Sequence, residues 1–449
     1  MHLKLKKGHD FNLGSYPINE ITDLKEPDEV SISPLDFPYI KPKLLIKEGD
    51  NVKVGTPVFF DKLNPDIKFV SSVSGKISKI IYGDRRSIQS VIIANDKEYG
   101  SLDVDFDKNV SLSSDDWIKN LKEYGLWSAI KQRPFSKIAD SNLPPKSVFV
   151  SLYDTRPYGC SPELVISSNK DLFNKGLKLI SKITNCPIHI STGLDFDLDL
   201  ISIGNQRACE MHTVEGPHPA GNVGVQIHHI DPIINKSDVR WYIDVNALID
   251  LGYFYEKKSY NPYKVISISG TISDLNYQRV VKYQSLDTIL SDYEFKQDEH
   301  RIVGGDILSG VERKVNDGIG PYDDMVTIID IDKEREFLGW VNPGFKKYSL
   351  SKAFLSKIIG NPILDFSSRL NGDKRSIISF GRWEAVLPMD IMPEALVKSI
   401  LIEDLESMEN LGIYECAEED FALCSYVCQS KTEVSQIIKK GVELAALDD

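Results

Sequence analysis

The stretch that decides the fold at the amino-terminal end is Leu44-Leu-Ile-Lys-Glu-Gly-Asp-Asn-Val-Lys-Val-Gly-Thr-Pro-Val-Phe-Phe60. Short apolar runs alternate in it with the polar sequence Glu48-Gly-Asp50. Short apolar segments bounded by glycine and aspartate indicate β-strands that are joined by turns. The stretch therefore predicts a strand, a turn and a second strand in an all-β module.

This module continues through Phe69-Val-Ser-Ser-Val-Ser-Gly-Lys-Ile77. Together the two stretches resemble the hammerhead of biotinyl and lipoyl carrier domains, which implies a barrel-sandwich domain over residues 1–112. Such carriers display a lysine at a hairpin tip, and Lys62 lies thirteen residues before Gly75. Because we expect Pro65 to interrupt the hairpin, we predict that Lys62 is an ordinary surface lysine. A biotin or lipoyl carrier stays open as an alternative class.

The pattern changes after residue 112. Helical spacing over Trp117–Ile130 is followed by a strand at Val148–Leu152, a helix at Asp171–Thr184, a strand at Pro187–Ile190 and an apolar segment around Leu200. Alternating strands and helices predict a parallel sheet, here a Rossmann-like α/β domain over residues 113–262. Its turn-rich loop, Gly216–Gly224, offers backbone N–H groups to an anion or carbonyl. There is no dinucleotide fingerprint and no Walker lysine, so no motif supports nucleotide binding.

Three further segments follow. The order of strands and one helix between residues 263 and 312 predicts a β-grasp (SLBB-like) module. Residues 313–387 form a mixed α/β segment with strands predicted at Asp324–Asp332 and Glu336–Trp340. Residues 388–449 predict a helical domain, with Pro393 opening one helix. The whole chain is thus a multidomain protein of the α/β and α+β classes.

Bulk properties limit the possible functions. The 449 residues carry a formal net charge of -13, so their surface repels a nucleic-acid backbone on average and we expect no nucleic-acid partner. No run of about 18 apolar residues occurs, so no transmembrane helix is predicted. The six cysteines in so long a chain do not resemble a disulfide framework, which favours a reducing cytoplasm.

Six strings resemble the NqrA family, the peripheral subunits of sodium-translocating NADH:quinone reductases, and the resemblance runs nearly end to end. They are Lys7-Gly-His-Asp10, Glu48-Gly-Asp-x-Val-x-x-Gly-Thr-Pro57, Arg133-Pro-Phe-Ser-Lys137, Gly216-Pro-His-Pro-Ala-Gly221, Arg335-Glu-Phe-Leu-Gly-Trp340 and Glu419-Asp-Phe-Ala-Leu-Cys-Ser-Tyr-Val-Cys428.

The resemblance implies a peripheral subunit of a bacterial inner-membrane enzyme that oxidises NADH, reduces ubiquinone and exports sodium. It implies docking on the other five subunits, chiefly the membrane subunit NqrB, at the cytoplasmic face. We expect no cofactor bound by this chain, with ubiquinone as the substrate of the complex. The alternative is a flavin-binding, NADH-binding or iron–sulfur subunit, similar to the related coupling subunit of the ferredoxin-linked electron-transport complex.

Two groups of residues invite a metal hypothesis. Cys416, Cys424 and Cys428 are one thiolate short of the set that a four-iron cluster needs, so we interpret them as structural thiols. Four histidines are close in sequence: His212, His218, His228 and His229. Adjacent strand residues point to opposite faces, so His228 and His229 do not share an ion if their segment is a strand. We therefore predict no metal site.

A quinone site needs apolar or aromatic walls and a few hydrogen-bond donors. Two proline-bent segments at predicted module boundaries meet this demand, and the candidates are Phe37, Tyr39 and Lys41 in the first, Arg133, Phe135 and Lys137 in the second, and His218 from the α/β loop. The alternative is that both segments are linkers whose aromatic side chains pack on neighbouring domains. No catalytic residue is predicted.

Overall fold

The computed structural model describes residues 1–447 except 15, 19, 24–25, 103, 105–111, 203–208, 297–298, 332–340, 346, 349–353, 360–362, 364–367, 371 and 379. The predicted strand Glu336–Trp340 lies outside the described residues.

The strands of the described part are β1 (His2–Lys4), β2 (Ile21–Asp23), β3 (Glu29–Ile32), β4 (Pro42–Leu44), β5 (Asn51–Val52), β6 (Pro57–Asp61), β7 (Asn64–Val70), β8 (Gly75–Tyr82), β9 (Ile88–Asn95), β10 (Lys131–Arg133), β11 (Lys137–Ile138), β12 (Ser147–Leu152), β13 (Ile188–Thr192), β14 (Cys209–Glu215), β15 (Arg240–Tyr242), β16 (Tyr263–Gly270), β17 (Asn276–Val281), β18 (His300–Gly304), β19 (Val311–Arg313) and β20 (Met325–Asp330).

The α-helices of the described part are α1 (Ser114–Glu123), α2 (Pro162–Ser167), α3 (Lys170–Ile183), α4 (Val223–Ile230), α5 (Val245–Lys257), α6 (Leu286–Leu290), α7 (Ser356–Ile359), α8 (Arg382–Val386), α9 (Pro393–Leu401), α10 (Leu405–Asn410), α11 (Ala422–Val427) and α12 (Val434–Leu447).

Two antiparallel sheets build the amino-terminal module. One has the order β3-β9-β8-β5 and the other β4-β6-β7, and their apolar faces share one core. Lys62 lies in the turn of the β6–β7 hairpin, as in carrier domains. Pro65 lies inside β7 and does not end the strand, but it does interrupt the pairing, because the register shifts there from Asp61–Asn64 to Phe60–Lys68.

A seven-stranded sheet forms the second module, in the order β1-β14-β13-β12-β15-β10-β11. The first five of these strands are parallel, and β10 and β11 join as an antiparallel edge. Helices α3 and α5 pack together through glycines: a Cβ atom at Gly252 would lie 1.7 Å from the carbonyl oxygen of Leu172, and one at Gly176 2.0 Å from that of Leu248. The α/β prediction is confirmed.

A third, six-stranded sheet has the order β19-β18-β20-β16-β17-β2. Strands β16 and β17 form an antiparallel hairpin, and β20 returns parallel to β16. Helices α8 to α12 follow and bury Leu396, Ile400, Phe421, Val434 and Ile438 among themselves.

Some elements differ from the sequence-based expectation. Strands β1 and β2 pair with the second and third sheets, although the sequence groups them with the barrel. Strand β20 lies inside the third sheet although the predicted limit at 312 separates it, and the domain limits stay predictions. The first helix ends at Glu123 rather than Ile130, because Gly125 adopts a left-handed φ of 75° and packs against Val70. The strand after β13 is β14, not the apolar segment around Leu200.

Candidate functional site

The first predicted segment, 34–41, is divided between core and surface. Phe37 is 3% exposed and packs with ring centroids 4.3 Å from Phe69 and 5.9 Å from Tyr322. Tyr39 is 41% exposed, and burial of its remainder, with the charges of Glu443 and Glu418, raises its pKa to about 12. The Lys41 backbone N–H donates to Asp61 at 2.8 Å and its side chain is exposed.

The second predicted segment, 133–137, packs against the carboxyl-terminal part of the chain, and we call this contact the seam. Arg133 is fully buried and pairs with Asp420 at 3.2 Å and Glu419 at 2.8 Å. Burial opposes its charge, but these two carboxylates outweigh burial and raise the pKa of Arg133. Phe135 is 6% exposed and meets Tyr414 edge-on at 6.0 Å. Lys137 is half-buried, with its ammonium 5.7 Å from the Phe135 ring.

Both segments therefore approach the same carboxyl-terminal stretch, Glu418–Phe421, from different modules. The charge of Glu418 contributes to the raised pKa of Tyr39, whereas Arg133 forms ion pairs with Glu419 and Asp420. The tertiary structure thus brings the two predicted segments together, but it buries Phe37, Arg133 and Phe135 in packing contacts.

A cavity of about 250 Å³ lies beside this junction, and we call it the tyrosine cavity. Lys131, Tyr242 and Tyr322 contribute to its wall. The ammonium of Lys131 lies 3.6 Å from the ring centroid of Tyr322 and 6.0 Å from that of Tyr242. The buried residues behind the wall hold these rings, since Phe37 contacts Tyr322 and the Arg133 guanidinium lies 5.7 Å from the Tyr242 ring.

Lys131 has unusual electrostatics for a cation inside a protein. Burial lowers its pKa, and the charges of Asp244 and Glu419 counter this only in part. Among the residues that the structure describes, the Lys131 ammonium contacts the two rings and makes no ion pair and no hydrogen bond. A buried donor without an acceptor is costly, so the tyrosine cavity favours a ligand that brings an acceptor oxygen.

A second cavity of about 600 Å³ adjoins the first at the carboxyl ends of β12, β13 and β14, and we call it the carboxylate cavity. Its acidic lining residues are Asp10, Asp154, Glu163, Asp195 and Glu215. Arg156 lies on the wall shared by both cavities, but Asp154 at 2.5 Å and Asp324 at 2.6 Å already bind its guanidinium. The position is typical of ligand sites in open α/β sheets, but the negative charge of the cavity lining disfavours a ligand that carries a phosphate group.

His218 lies near these cavities without lining either one. Its backbone N–H donates to Asp10 at 2.9 Å, and its Nδ1 lies 3.2 Å from the Thr155 hydroxyl. Burial lowers the pKa of His218, which keeps the ring neutral. In this arrangement His218 ties the loop 216–222 to the amino-terminal segment.

Two comparisons with known proteins decide the family. The family described as the NqrA N-terminal barrel-sandwich hybrid domain matches residues 3–96, and the NqrA second alpha/beta domain matches residues 112–259. The NqrA subunit of the Na(+)-translocating NADH-quinone reductase from Neisseria meningitidis serogroup A is 32% identical over 448 residues, which covers 98% of each chain. The chain belongs to the NqrA family.

Other relatives agree with this assignment. The NqrA subunit of Histophilus somni is 32% identical and covers 98% of both chains, and that of Rhodopirellula baltica is 30% identical over 98% of this chain and 97% of its own. Chains of an NAD+-reducing [NiFe]-hydrogenase align with TM-scores of 0.34 and 0.36 at 8% and 9% identity, too weak a likeness to support an argument. The NqrA relatives are named as parts of an enzyme complex. Within the described residues, no helix of this family member is long and apolar enough to cross a membrane.

The three carboxyl-terminal cysteines of this NqrA family member are buried and serve in packing contacts. The Cys416 thiol donates to the Gly412 carbonyl oxygen at 3.3 Å and the Cys424 thiol to that of Trp383 at 3.7 Å, while Cys428 accepts from a backbone N–H at 3.4 Å. Burial raises the pKa of Cys416 and of Cys424, which keeps both thiols protonated.

The four histidines that are close in sequence make different contacts. His228 and His229 lie on helix α4, so the argument from strand alternation, which depended on a strand there, does not apply. His228 pairs with Glu415 at 2.7 Å, and His229 lies 2.7 Å from the Pro388 carbonyl oxygen. His212 instead meets His189, with ring nitrogens 3.0 Å apart.

Sequence reasoning missed Lys131, Tyr242 and Tyr322. A signal was present for Lys131, because residues two apart on a strand share a face and Lys131 precedes the motif residue Arg133 by two. Nothing local marks Tyr322, which reaches the cavity only through the path of the third module.

Proposed function

We propose that this chain contributes a binding site for the ubiquinone head group to the sodium-translocating NADH:quinone reductase. In this proposal the chain brings no redox cofactor of its own, and the head group enters the tyrosine cavity. The observation that carries the proposal is Lys131, a cation that contacts two tyrosine rings and has no acceptor in the described part of the chain.

The chemistry of this cavity suits a quinone. A flat ring needs aromatic walls, which Tyr242 and Tyr322 provide, and its carbonyl oxygen needs a donor, which Lys131 provides. The ammonium also stabilises the negative charge that develops on the oxygen when the ring is reduced. Lys131 therefore combines binding with electrostatic stabilisation in this proposal.

The residues that the sequence singled out take supporting positions. Phe37 and Arg133 hold the two tyrosine rings from behind, and Phe135 fixes the seam beside them. Tyr39, Lys41 and Lys137 are the accessible members of the two segments, so we assign them to the approach of the quinone. His218 anchors the neighbouring loop.

We also propose fold assignments for the second and third modules. The third sheet has a hairpin, a helix and a last strand that inserts parallel to the first, which supports a β-grasp module of the SLBB kind. The parallel sheet between α3 and α5 on one side and α4 on the other supports a Rossmann-like domain.

The chain docks, in this proposal, on the membrane subunits of the complex, chiefly NqrB, at the cytoplasmic face. Exposed apolar side chains support a docking role for the carboxyl-terminal part, among them Phe380, Met392, Ile402 and Leu447 at 60%, 61%, 74% and 81% exposure. Protein interfaces commonly bury apolar side chains that are exposed on the isolated subunit.

Flavin or NADH binding is the weaker alternative. A nucleotide would occupy the carboxylate cavity, where five carboxylates oppose its phosphates and Arg156 is already neutralised by two aspartates. An iron–sulfur cluster is disfavoured too, because Cys416, Cys424 and Cys428 are one thiolate short of the four that a cluster needs, and each sulfur already contacts a backbone group.

The test uses the whole complex and a photoreactive ubiquinone analogue, followed by mapping of the labelled peptides. We expect label on the peptides that contain Lys131 and Tyr322. Lys131→Met keeps a long unbranched side chain but removes the donor. It should weaken analogue affinity by about 1.5–3 kcal/mol, the range for a hydrogen bond to a charged group.

The matched control is Lys178→Met, at an exposed lysine on helix α3 that lines neither cavity, which should leave affinity nearly unchanged. NADH oxidation by an artificial acceptor reports whether the complex is otherwise intact. Label confined to other subunits, together with unchanged quinone kinetics in Lys131→Met, would remove this chain from the quinone site.

A further inference from the structure

A cluster of three metal-binding side chains lies away from both cavities. His189 Nδ1 lies 3.0 Å from His212 Nε2 and 3.6 Å from a carboxylate oxygen of Glu210. Among the described residues, this is the only set of at least three histidine, cysteine or carboxylate side chains whose donor atoms all lie within 4.8 Å of one another.

The register of two parallel strands creates this cluster. His189 on β13 pairs with Glu210 on β14, and His212 pairs with Ser191, so the three side chains leave the sheet on the same face. The ring of Phe149 lies 4.9 Å from that of His189 and restricts its orientation. The residues are thus positioned by the sheet and not by a flexible loop.

The distances are compatible with a shared ion, and a hydrogen bond explains only one of them. A separation of 3.6 Å between His189 and Glu210 is too long for a hydrogen bond. Two ligands bound to one tetrahedral zinc ion at ~2.0–2.1 Å lie roughly 3.3 Å apart, between the two distances observed here. One ion would therefore satisfy all three groups, whereas a histidine–histidine hydrogen bond leaves Glu210 without a role.

The chemical state of the residues is also suitable. Burial lowers the pKa of both histidines, so each ring is neutral at pH 7 and offers a lone pair. Glu210 supplies a negative charge and is 57% exposed, which leaves a route from solvent and room for a fourth ligand. The nearby Arg240 is neutralised by Asp231 at 2.6 Å.

We propose that His189, Glu210 and His212 form a site for a borderline divalent cation, of which zinc is the best match to two imidazoles and a carboxylate. The site joins β13 and β14 near their amino ends, whereas the cavities lie at the carboxyl ends. Zinc does not transfer electrons, so this proposal is independent of the quinone proposal. It replaces the sequence-based expectation of no metal.

The test uses the untagged full-length chain after dialysis against a chelator. Titration with Co²⁺ should give one equivalent of binding with the visible absorption of a tetrahedral site, and Zn²⁺ should displace it. Zn²⁺ should also raise the melting temperature, because an ion that binds only the folded state stabilises it. Glu210→Gln and His212→Gln should each weaken binding at least about tenfold.

The control is His2→Gln, an exposed histidine on the adjacent strand β1, which should bind normally. Glu210→Gln keeps the test valid if the buried His212→Gln does not fold. Absence of a tetrahedral Co²⁺ spectrum, or equal affinity in Glu210→Gln and the parent chain, would show that the histidines share a hydrogen bond only. A loss of binding in His2→Gln as large as in Glu210→Gln would assign the ion to the surface.

Discussion

Two cations of one short strand have opposite surroundings. Arg133 at the end of β10 is fully buried and bound by Asp420 and Glu419, whereas Lys131 at its start faces the tyrosine cavity without an acceptor among the described residues. Both side chains leave the strand on the same face, so the difference comes from what the rest of the chain places opposite them.

The comparison shows that a distinctive motif and a free functional group need not coincide. The string that begins at Arg133 stands out in the sequence, yet its charge is fully used in holding the carboxyl-terminal helices on the α/β module. Lys131 lies outside that string, and among the described residues its ammonium makes no hydrogen bond.

The largest effect is expected when Arg133 is removed. Arg133→Ala leaves Asp420 buried without its partner, and breaking a buried pair in this way costs about 3–5 kcal/mol of unfolding free energy. Urea denaturation of the isolated chain measures this loss. Lys131→Ala should lower the free energy of unfolding much less. A stable Arg133→Ala protein with weakened quinone affinity would overturn the contrast and place Arg133 at the ligand.

A similar contrast holds within the first segment. Phe37→Ala should lower the free energy of unfolding by about 3 kcal/mol, because it opens a gap among Phe59, Phe69 and Tyr322. Tyr39→Ala, at a largely exposed ring, should change it by less than about 0.5 kcal/mol. Equal effects in thermal or chemical denaturation would mean that the segment packs differently.

Substitutions at Tyr322 sharpen the role of the cavity wall. Tyr322→Leu should weaken quinone affinity by about 0.5–1.5 kcal/mol through loss of the ring. Tyr322→Phe keeps the ring and removes only the hydroxyl, which donates to the Ser128 carbonyl oxygen at 2.8 Å, so affinity should stay unchanged. If both variants bind equally weakly, the hydroxyl rather than the ring acts on the quinone.

The smallest effect at neutral pH concerns the protonation of Lys131. Burial lowers the pKa of Lys131, so its ammonium loses its proton as pH rises through a value below the usual 10.5. Affinity for a quinone analogue should therefore begin to decrease at a lower pH than it would if the donor were an exposed lysine. Lys131→Arg should move this decrease to higher pH, since guanidinium stays charged. Identical pH profiles would exclude Lys131 as the donor.

Much of the architecture follows from local sequence. The turn Glu48-Gly-Asp50 and the apolar runs around it predict the barrel strands, because strand alternation and glycine turns are local properties. The alternation of Val148–Leu152 with Asp171–Thr184 predicts the α/β module for the same reason, and β12 and α3 confirm it. Six strings were enough to identify the family.

The sites depended on contacts between residues far apart in the chain. His189 and His212 face one another only because β13 and β14 pair in one register, and a shift of one residue would send His212 to the other face of the sheet. Arg133 is bound by residues nearly three hundred positions away. Composition, turns and periodicity thus determined the modules and the family. Only the tertiary structure decided that Arg133 is neutralised and that Lys131 meets no acceptor among the described residues, because long-range packing sets the partners of a buried charge.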